Sequence, residues 1–391
     1  MSESKKFTSH KKHIVGVLYG TELFGREREN IECYKALKSL GFDIKVFGSY
    51  REEEGGKVGL ELKRLGIFID LLPFGSHFAL AYFRSIKGYW RRQIQRIYNC
   101  CRIIQKHIQS QKPIALFMGS HTEYLYLWPL LSFNRIAVIY RVGDGPIWDS
   151  RFHKYAMKQL LKRANHIVPV SHFIAEQVKK LEPNCKSKTT VVWNIPPEFH
   201  TQDKPLVELD VNPSLRLLYV GQMTEKKGVG VLIEALVELK TSLKFKCRMV
   251  GGSQFSGPFE KELHRRVIQA GLSDQIEFIG RVDDPTPHYD WASLHIAPSL
   301  YEEPFGLVIV EAKRAGIPSI VFPRGGMPEL IQHGTNGWVC EQADSQSLAD
   351  AIRICHGQPL KEWGQQAQKD YSENFSPARF QNDWSKLLEK L

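Results

Sequence analysis

Apolar and polar segments alternate regularly along the whole chain. Short apolar runs typical of buried strands are followed by polar loops, and then by segments whose apolar positions recur at spacings of three and four, as in helices. One such helix is expected over residues 30–40, after a polar turn over residues 20–28. The predicted strands cover residues 14–19, 43–48, 114–118, 136–141, 166–170, 215–220, 294–297 and 318–322. This α/β alternation predicts parallel sheets with helices on both faces.

The length and a proline-rich interruption indicate two domains. At 391 residues the chain is too long for one typical hydrophobic core. The alternation lapses between residues 194 and 213, as expected of an interdomain linker. The prolines of this segment are Pro196, Pro197, Pro205 and Pro213. We therefore expect an N-terminal domain over residues 1–200 and a C-terminal domain over residues 201–374, followed by a helix over residues 375–391.

The composition is that of an ordinary globular protein, with 42% apolar and 24% charged residues. The seven cysteines include no C-x-x-C pair, which favours reduced thiols in a cytosolic compartment and disfavours a zinc site. Residues 1–12 lack the apolar core of a secretory signal. No apolar run reaches the roughly 18–20 residues that span a bilayer. These features predict a cytoplasmic location.

The net charge of +11 is concentrated in one segment. Residues 71–122 contain no Asp or Glu, whereas eight lysines and arginines lie between Arg84 and Lys112. The apolar positions at helical spacing are Phe83, Ile86, Trp90, Ile94, Ile97, Cys101, Ile104 and Ile108. Residues 82–112 are thus predicted to form a basic amphipathic helix, which either binds an anionic membrane surface or packs its apolar stripe on the N-terminal sheet. A nucleic-acid partner is disfavoured because no recognisable binding module accompanies the basic residues.

Two glutamates flank a turn that joins a predicted strand to a predicted helix. Glu303 and Glu311 are separated by seven residues, and a Pro-Phe-Gly turn follows the first of them. The carboxyl end of a strand in an open α/β sheet is a common ligand site, and the N-terminus of a helix favours phosphate. The alternative is structural, with Glu303 capping the helix and Glu311 on a solvated helix face.

A second loop with similar chemistry follows the strand predicted at residues 215–220. It runs from Gly221 to Gly228 and contains Lys227, which can place a cation beside a diphosphate. The alternative is an ordinary solvated lysine.

Several segments between residues 215 and 340 resemble the retaining glycosyltransferases of family four, in the order that family has them. These are Val220-Gly221-Gln222-Met223-Thr224-Glu225-Lys226-Lys227-Gly228, Met249-Val250-Gly251-Gly252, Phe278-Ile279-Gly280-Arg281-Val282, the E-x7-E segment Glu303–Glu311, and Gly325-Gly326-Met327-Pro328-Glu329. The resemblance implies the GT-B fold, in which two Rossmann-like domains face a cleft. The N-terminal domain would be on the acceptor side and the C-terminal domain would bind the nucleotide-sugar, with the last helix packing back onto the N-terminal domain.

The resemblance also implies roles for the donor side. Lys227 would bind the donor phosphates and stabilise the leaving group, Glu303 would contact the donor sugar, and Glu311 would hold the ribose hydroxyls. The family usually has an arginine where this chain has Gln222, which removes a charge. The implied donor-binding positions are Gly221, Gln222, Lys227, Val282, Glu303, Phe305, Gly306, Leu307 and Glu311.

The acceptor side is represented by fewer residues. Gly25 and Arg26 resemble the family's glycine-containing first loop. Where many members have a histidine, this chain has Gly143, so the adjacent Asp144 is a catalytic candidate in its place, the alternative being a turn aspartate. His121, expected in a loop, is the last candidate, and a loop histidine without a catalytic role is its alternative.

The resemblance implies a retaining hexosyltransferase, and we expect it to be metal-independent and to need no cofactor. Its acceptor would be a glycan or a lipid-linked molecule in surface polysaccharide or glycolipid synthesis, at the inner face of the membrane. No D-x-D triplet, which would hold a metal against a diphosphate, occurs in the chain. Two alternatives remain: a GT-B sugar-nucleotide epimerase, and a non-catalytic GT-B surface-binding subunit, which Gln222 and Gly143 keep open.

Overall fold

The computed structural model describes residues 12–23, 25–49, 56–74, 86–144, 151–197, 214–252 and 257–390. The chain divides into two compact units. The first comprises Met1–Val170, Ile174–Val192 and Phe380–Leu391, and the second comprises Ser171–Phe173 and Trp193–Arg379. The boundaries expected from the sequence lie at residues 200 and 374, whereas the division of the structure falls after Val192 and after Arg379.

The described part of the first unit contains a six-stranded parallel sheet in the order β3-β2-β1-β4-β5-β6. Its strands are β1 (His13–Val17), β2 (Asp43–Ser49), β3 (Phe68–Leu72), β4 (Ala115–Met118), β5 (Ala137–Val142) and β6 (His166–Pro169). The connecting helices are α1 (Gly25–Ser39), α2 (Gly56–Arg64), α3 (Ile86–Gln111), α4 (His121–Phe133), α5 (Arg151–Arg163) and α6 (His172–Leu181). The strand order reverses once, between β1 and β4.

The described part of the second unit has the same architecture, with the strand order β12-β11-β10-β7-β8-β9. Its strands are β7 (Leu215–Val220), β8 (Phe245–Val250), β9 (Ile276–Gly280), β10 (Leu294–Ala297), β11 (Ser319–Val321) and β12 (Gly337–Val339). Its helices are α7 (Val229–Leu239), α8 (Pro258–Gln269), α9 (Thr286–Trp291), α10 (Leu307–Arg314), α11 (Ser345–His356) and α12 (Leu360–Asn374). Here the strand order reverses between β7 and β10.

The last helix, α13 (Pro377–Leu388), belongs mostly to the first unit. Its Trp384 is fully buried, and its ring centroid lies 5.7 Å from that of Phe117 on β4. Aromatic pairs at this separation contribute about 0.5–1.5 kcal/mol beyond the burial of their area.

The predicted α/β alternation is confirmed, and the eight predicted strands all occur with small shifts at their ends. The predicted turn over residues 20–28 is wrong in part, because α1 begins at Gly25 and Arg26 lies in its first turn. Glu27 in that turn favours an early start, since a carboxylate interacts well with the N-terminal end of the helix dipole.

The apolar stripe predicted for residues 82–112 is only partly correct. Residues 82–85 lie outside the described residues. On α3, Tyr89 and Gln93 are buried, whereas Trp90 and Ile94 of the predicted apolar stripe are exposed, so these two do not fit the alternative in which the whole stripe packs on the sheet. Ile104 is buried as expected. The helix therefore packs on its own unit and still presents apolar side chains to solvent.

Candidate functional site

Lys227 and Glu303 lie at the reversal of strand order in the second unit. The loop after β7 carries Lys227, and the loop after β10 carries Glu303. The connections that follow the two strands pass to opposite faces of the sheet, and the crevice at the carboxyl ends of the strands at such a reversal is where open α/β sheets bind ligands.

The structure brings Lys227 and Glu303 into direct contact. The ammonium group pairs with Oε1 of Glu303, and it also lies 3.2 Å from the hydroxyl of Tyr301 and 5.1 Å from the centroid of that ring. The carboxylate of Glu303 accepts two further hydrogen bonds, from Ser299 Oγ at 2.7 Å and from Tyr301 Oη at 2.6 Å. A largely buried carboxylate with three donors is held in one orientation.

Backbone contacts hold the two loops together. The N–H of Leu300 donates to the carbonyl of Lys226 at 2.8 Å. Gly228 has φ of +70°, and a Cβ there would lie 1.8 Å from the carbonyl oxygen of Pro298. Only glycine allows both this conformation and this approach. The position of Lys227 relative to Glu303 is therefore fixed by the fold.

A tyrosine holds the start of the loop that follows β7. Tyr219 donates its hydroxyl to the carbonyl of Gln222 at 2.7 Å. Burial, and then the charge of Glu303, raise the pKa of Tyr219, so it remains a neutral donor. The side chain of Gln222 is exposed, and Gly221 precedes it with φ of +157°.

Glu311 is buried on α10 and has a different partner. It accepts a hydrogen bond from the hydroxyl of Tyr289 at 2.8 Å. Burial, followed by the nearby charge of Glu311, raises the pKa of Tyr289 well above its ordinary value. Val282 is half-buried and packs against the small apolar cluster that contains Tyr289 and Leu218.

The structural alternatives for the two glutamates are wrong. Gly306 is the N-cap residue of α10, and no side chain caps this end of the helix. The carboxylate of Glu303 pairs with Lys227 and does not cap α10. Glu311 is buried, so it does not lie on a solvated face. The first N–H groups of α10, starting at Leu307, are among those that a helix leaves without an internal partner. Phe305 is buried, and its ring centroid lies 6.3 Å from that of Phe375.

Three of the acceptor-side candidates are close together in the first unit. Arg26 bonds to Asp144 at 2.8 Å and to Glu27 at 2.7 Å. Burial disfavours the guanidinium charge, but Asp144 and Glu27 together raise the pKa of Arg26. Gly25 begins α1 beside it. A Cβ at Gly143 would lie 2.9 Å from a carboxylate oxygen of Glu29 and 3.6 Å from Cγ of Arg26. These two side chains therefore occupy the space that a larger side chain at position 143 would need.

His121 is not in a loop, because it is the first residue of α4, whose cap is Ser120. It is buried, and its Nε2 lies 3.1 Å from Nδ1 of His153. Burial, the charge of His153 and that of Arg26 lower the pKa of His121 to about 4, while Asp144 acts in the opposite direction. The imidazole is therefore neutral at pH 7, able to accept or donate a hydrogen bond.

We expect His121 to make the protein less stable in acid. Its pKa is about 4 when folded and about 6.5 when unfolded, so the unfolded chain takes up the proton first as the pH falls. Stability is lost from pH 6.5 down to 4, by about 2 kcal/mol between pH 7 and pH 5. Urea unfolding of His121→Gln at both pH values should show a correspondingly smaller loss. His356→Gln, at an exposed histidine, should lose as much as the wild type.

Sequence reasoning missed the residues that orient the two glutamates. Ser299 and Tyr301 lie so close to Glu303 in the sequence that a turn bringing their hydroxyls to its carboxylate could have been anticipated. Tyr289 lies 22 residues before Glu311 on a separate helix, and nothing in the local pattern relates the two.

Comparison with known proteins identifies the fold and gives a family match for part of the chain. Residues 208–370 match the family model of glycosyl transferases group 1. A crystal structure of a glycosyltransferase from Rickettsia africae superposes with a TM-score of 0.78 over 97% of this chain and 98% of that one, at 22% identity. Anabaena HepE in complex with UDP and glucose superposes with a TM-score of 0.73 over 98% and 100% of the two chains, at 20% identity. The fold is therefore that of the GT-B glycosyltransferases.

Sequence relatives agree with this class. An uncharacterized glycosyltransferase of Methanocaldococcus jannaschii is 28% identical over 66% of this chain and 69% of its own length. N-acetyl-alpha-D-glucosaminyl L-malate synthase of Bacillus anthracis is 27% identical over 55% of this chain, and the match spans 57% of that protein. The matched residues 208–370 include all of the segments whose motifs resemble the glycosyltransferases of family four.

Proposed function

We propose that the chain is a retaining, metal-independent glycosyltransferase that transfers a hexosyl group from a nucleotide-sugar to a glycan or lipid-linked acceptor. The observation that carries this proposal is the Lys227–Glu303 pair, fixed at the reversal of strand order by Ser299 and Tyr301. It combines a cation suited to a diphosphate with an oriented carboxylate suited to sugar hydroxyls. Relatives support the substrate class: HepE has been crystallised with UDP-glucose, and putative colanic acid and amylovoran biosynthesis glycosyltransferases are 27–28% identical over about half of the chain.

The donor would be held by both loops and by α10. Lys227 and the N–H groups at Gly306 and Leu307 would bind the diphosphate, because a cation and a helix N-terminus both favour negative charge. Glu311, oriented by Tyr289, would accept hydrogen bonds from the ribose hydroxyls. The base would lie toward Val282, beyond the end of β9.

In the transfer step the bond between the anomeric carbon and the diphosphate oxygen breaks. The acceptor hydroxyl oxygen bonds to that carbon on the same face, and its proton moves to an oxygen of the departing diphosphate. The sugar becomes oxocarbenium-like while negative charge develops on the leaving phosphate. Lys227 would stabilise that charge, since a preplaced cation needs little reorganisation during the reaction. Glu303 would fix the sugar hydroxyls near the reacting carbon.

On the acceptor side, the Arg26–Asp144 pair would bind hydroxyl groups without taking the proton. Asp144 already accepts a hydrogen bond from Arg26 at 2.8 Å, which fixes the direction of its carboxylate. His121 is neutral and would serve as a further hydrogen-bonding group.

Release of nucleoside diphosphate from a panel of nucleotide-sugars, with and without candidate acceptors, tests the proposal. One donor should give release that depends on an acceptor, and NMR of the product should show the anomeric configuration of the donor. Glu303→Gln should abolish release, whereas Glu302→Gln, at an exposed neighbour, should not. Conversion of the donor to its epimer with no acceptor present would favour an epimerase. Absence of turnover with the whole panel would favour a non-catalytic role.

We also expect EDTA to leave the turnover largely unchanged. The sequence lacks the acidic triplet that would hold a divalent ion against a diphosphate, and Lys227 supplies positive charge in its place. The measurement compares rates after chelation and after addition of Mn²⁺ or Mg²⁺. A rate that disappears with EDTA and returns with either ion would contradict the assignment.

A further inference from the structure

Three neighbouring helices cover one face of the first unit's sheet. α3 connects β3 to β4, α4 connects β4 to β5, and α5 connects β5 to β6. All three connections leave their strands in the same direction along the sheet, and right-handed crossovers therefore place the three helices on the same face. α3 packs beside α4, and α4 packs beside α5.

This helical face exposes an unusual number of apolar side chains. On α3, Trp90, Ile94 and Tyr98 follow one another at intervals of four and are 46%, 64% and 59% exposed. On α4, Phe133 is 91% exposed, and on α5, Tyr155 is 63% exposed. With Trp128 and Phe152, half of the fourteen exposed large hydrophobic side chains of the described residues are on these three helices. Such residues are normal when scattered, but their clustering indicates an interaction surface.

The same face is strongly basic. By sequence, α3 carries six lysines and arginines and α5 carries five, and neither helix contains an acidic residue. Glu123 on α4 is the one acidic residue in the sequence of the three helices, and its side chain is buried. On α3 the stripe that begins with Trp90, Ile94 and Tyr98 continues as exposed Arg102 and Lys106. The exposed surface of these helices therefore combines apolar side chains with cations and shows no carboxylate.

We propose that the outer face of α3, α4 and α5 docks on an anionic lipid surface. Cations attract the headgroups, while tryptophan, tyrosine and aliphatic side chains enter the region between headgroups and acyl chains. Tyr89, Gln93 and Ile104 are buried, as expected of residues packed within the unit, whereas Trp90 and Ile94 are exposed and have no such role. No helix among the described residues is long and apolar enough to cross a bilayer, so the association would be peripheral. The proposal extends the surface expected for residues 82–112 to α5, and it does not depend on the transferase activity.

Sedimentation with vesicles tests the proposal on the full chain. Vesicles of phosphatidylcholine with 30% phosphatidylglycerol should carry the wild type into the pellet at 50 mM NaCl, and pure phosphatidylcholine should not. Since each cation near the surface contributes roughly 1 kcal/mol, loss of three cations lowers the partition coefficient on the order of 100-fold, and reversing Arg91, Arg92 and Arg96 to Glu should lower it by at least that factor. Reversing Arg151 and Lys154 should also lower it, because the surface includes α5. Raising the salt to 0.5 M should weaken wild-type binding.

Two further variants separate this surface from simple charge effects. Trp90→Ser with Ile94→Ser should weaken binding to the anionic vesicles while preserving its dependence on salt. Reversing Lys244, Lys361 and Lys369, which are exposed in the second unit, makes the same change in net charge and should leave binding near the wild-type level. Circular dichroism melts should confirm that every variant is folded.

The proposal is overturned if the wild type stays in the supernatant with anionic vesicles at low salt. It is also overturned if reversing Lys244, Lys361 and Lys369 lowers binding as much as reversing Arg91, Arg92 and Arg96. A wild type that binds a mixed-sequence DNA duplex and no vesicle would overturn it as well.

Discussion

Lys227→Ala is expected to lower the turnover of a nucleotide-sugar on the order of 10²–10³-fold, with the fold intact. The ammonium group is already placed by Glu303 and Tyr301, so it can stabilise charge on a leaving diphosphate without rearrangement of the loop. Because that charge is greater in the transition state than in the bound donor, kcat should fall more than donor affinity. Initial rates of nucleoside diphosphate release measure the effect.

Lys226→Ala is the matched control. Lys226 is adjacent and exposed, and its backbone carbonyl, which the substitution retains, is the group that bonds to Leu300. Its loss should change the rate by less than about threefold. Near wild-type turnover of Lys227→Ala, or equal losses in the two variants, would show that Lys227 is an ordinary loop lysine.

The order of strand, loop and helix around Lys227 and around Glu303 was predictable because that pattern is local. Strand, glycine-containing loop and helix follow one another in both segments, and strand order alone brings the loop after β7 beside the loop after β10. That Lys227 and Glu303 would contact each other could not be read from the pattern. Residues 76 positions apart come together only when the sheet order is known.

Helical periodicity was less reliable for α3. The spacing of apolar residues predicts a single apolar face that includes Ile94, yet the structure buries Gln93 and exposes Ile94. Periodicity reports that a helix has an apolar face but does not report which neighbour covers it. α3 has isoleucine, cysteine and aromatic residues on more than one side, so more than one of its faces could be buried. Which face is buried depends on the elements that pack against the helix, and α4 is one of them.

The acceptor-side candidates show a different limit. Arg26 and Asp144 were proposed separately, and their ion pair depends on α1 beginning at Gly25. His121 was placed in a loop because an apolar strand precedes it, whereas the capping box of Ser120 and Glu123 starts α4 at once. The Ser-x-x-Glu pattern was present in the sequence and would have corrected this prediction.

The largest stability effect is expected from Asp370→Ala, which removes the partner of a buried lysine. Lys313 on α10 is 1% exposed and pairs with Asp370 on α12, and Asp370 also accepts from Asn374 at 2.7 Å. Burial lowers the pKa of Lys313, and the hydrogen bond and charge of Asp370 oppose this shift. Without Asp370 the ammonium is left uncompensated in the interior, which should cost about 3–5 kcal/mol in the free energy of unfolding.

Replacing both partners distinguishes an unpaired charge from a general loss of packing. Lys313→Met with Asp370→Leu removes both charges, so it should regain most of the stability lost by Asp370→Ala. Glu277→Ala breaks the exposed pair with Arg248 in the same unit and should cost no more than about 1 kcal/mol. Urea unfolding followed by tryptophan fluorescence measures all three. Because α10 also carries Glu311, Asp370→Ala should weaken donor binding under conditions where the protein is still folded, and the double variant should restore it. An Asp370→Ala protein as stable as Glu277→Ala would mean that Lys313 finds another partner or is held neutral.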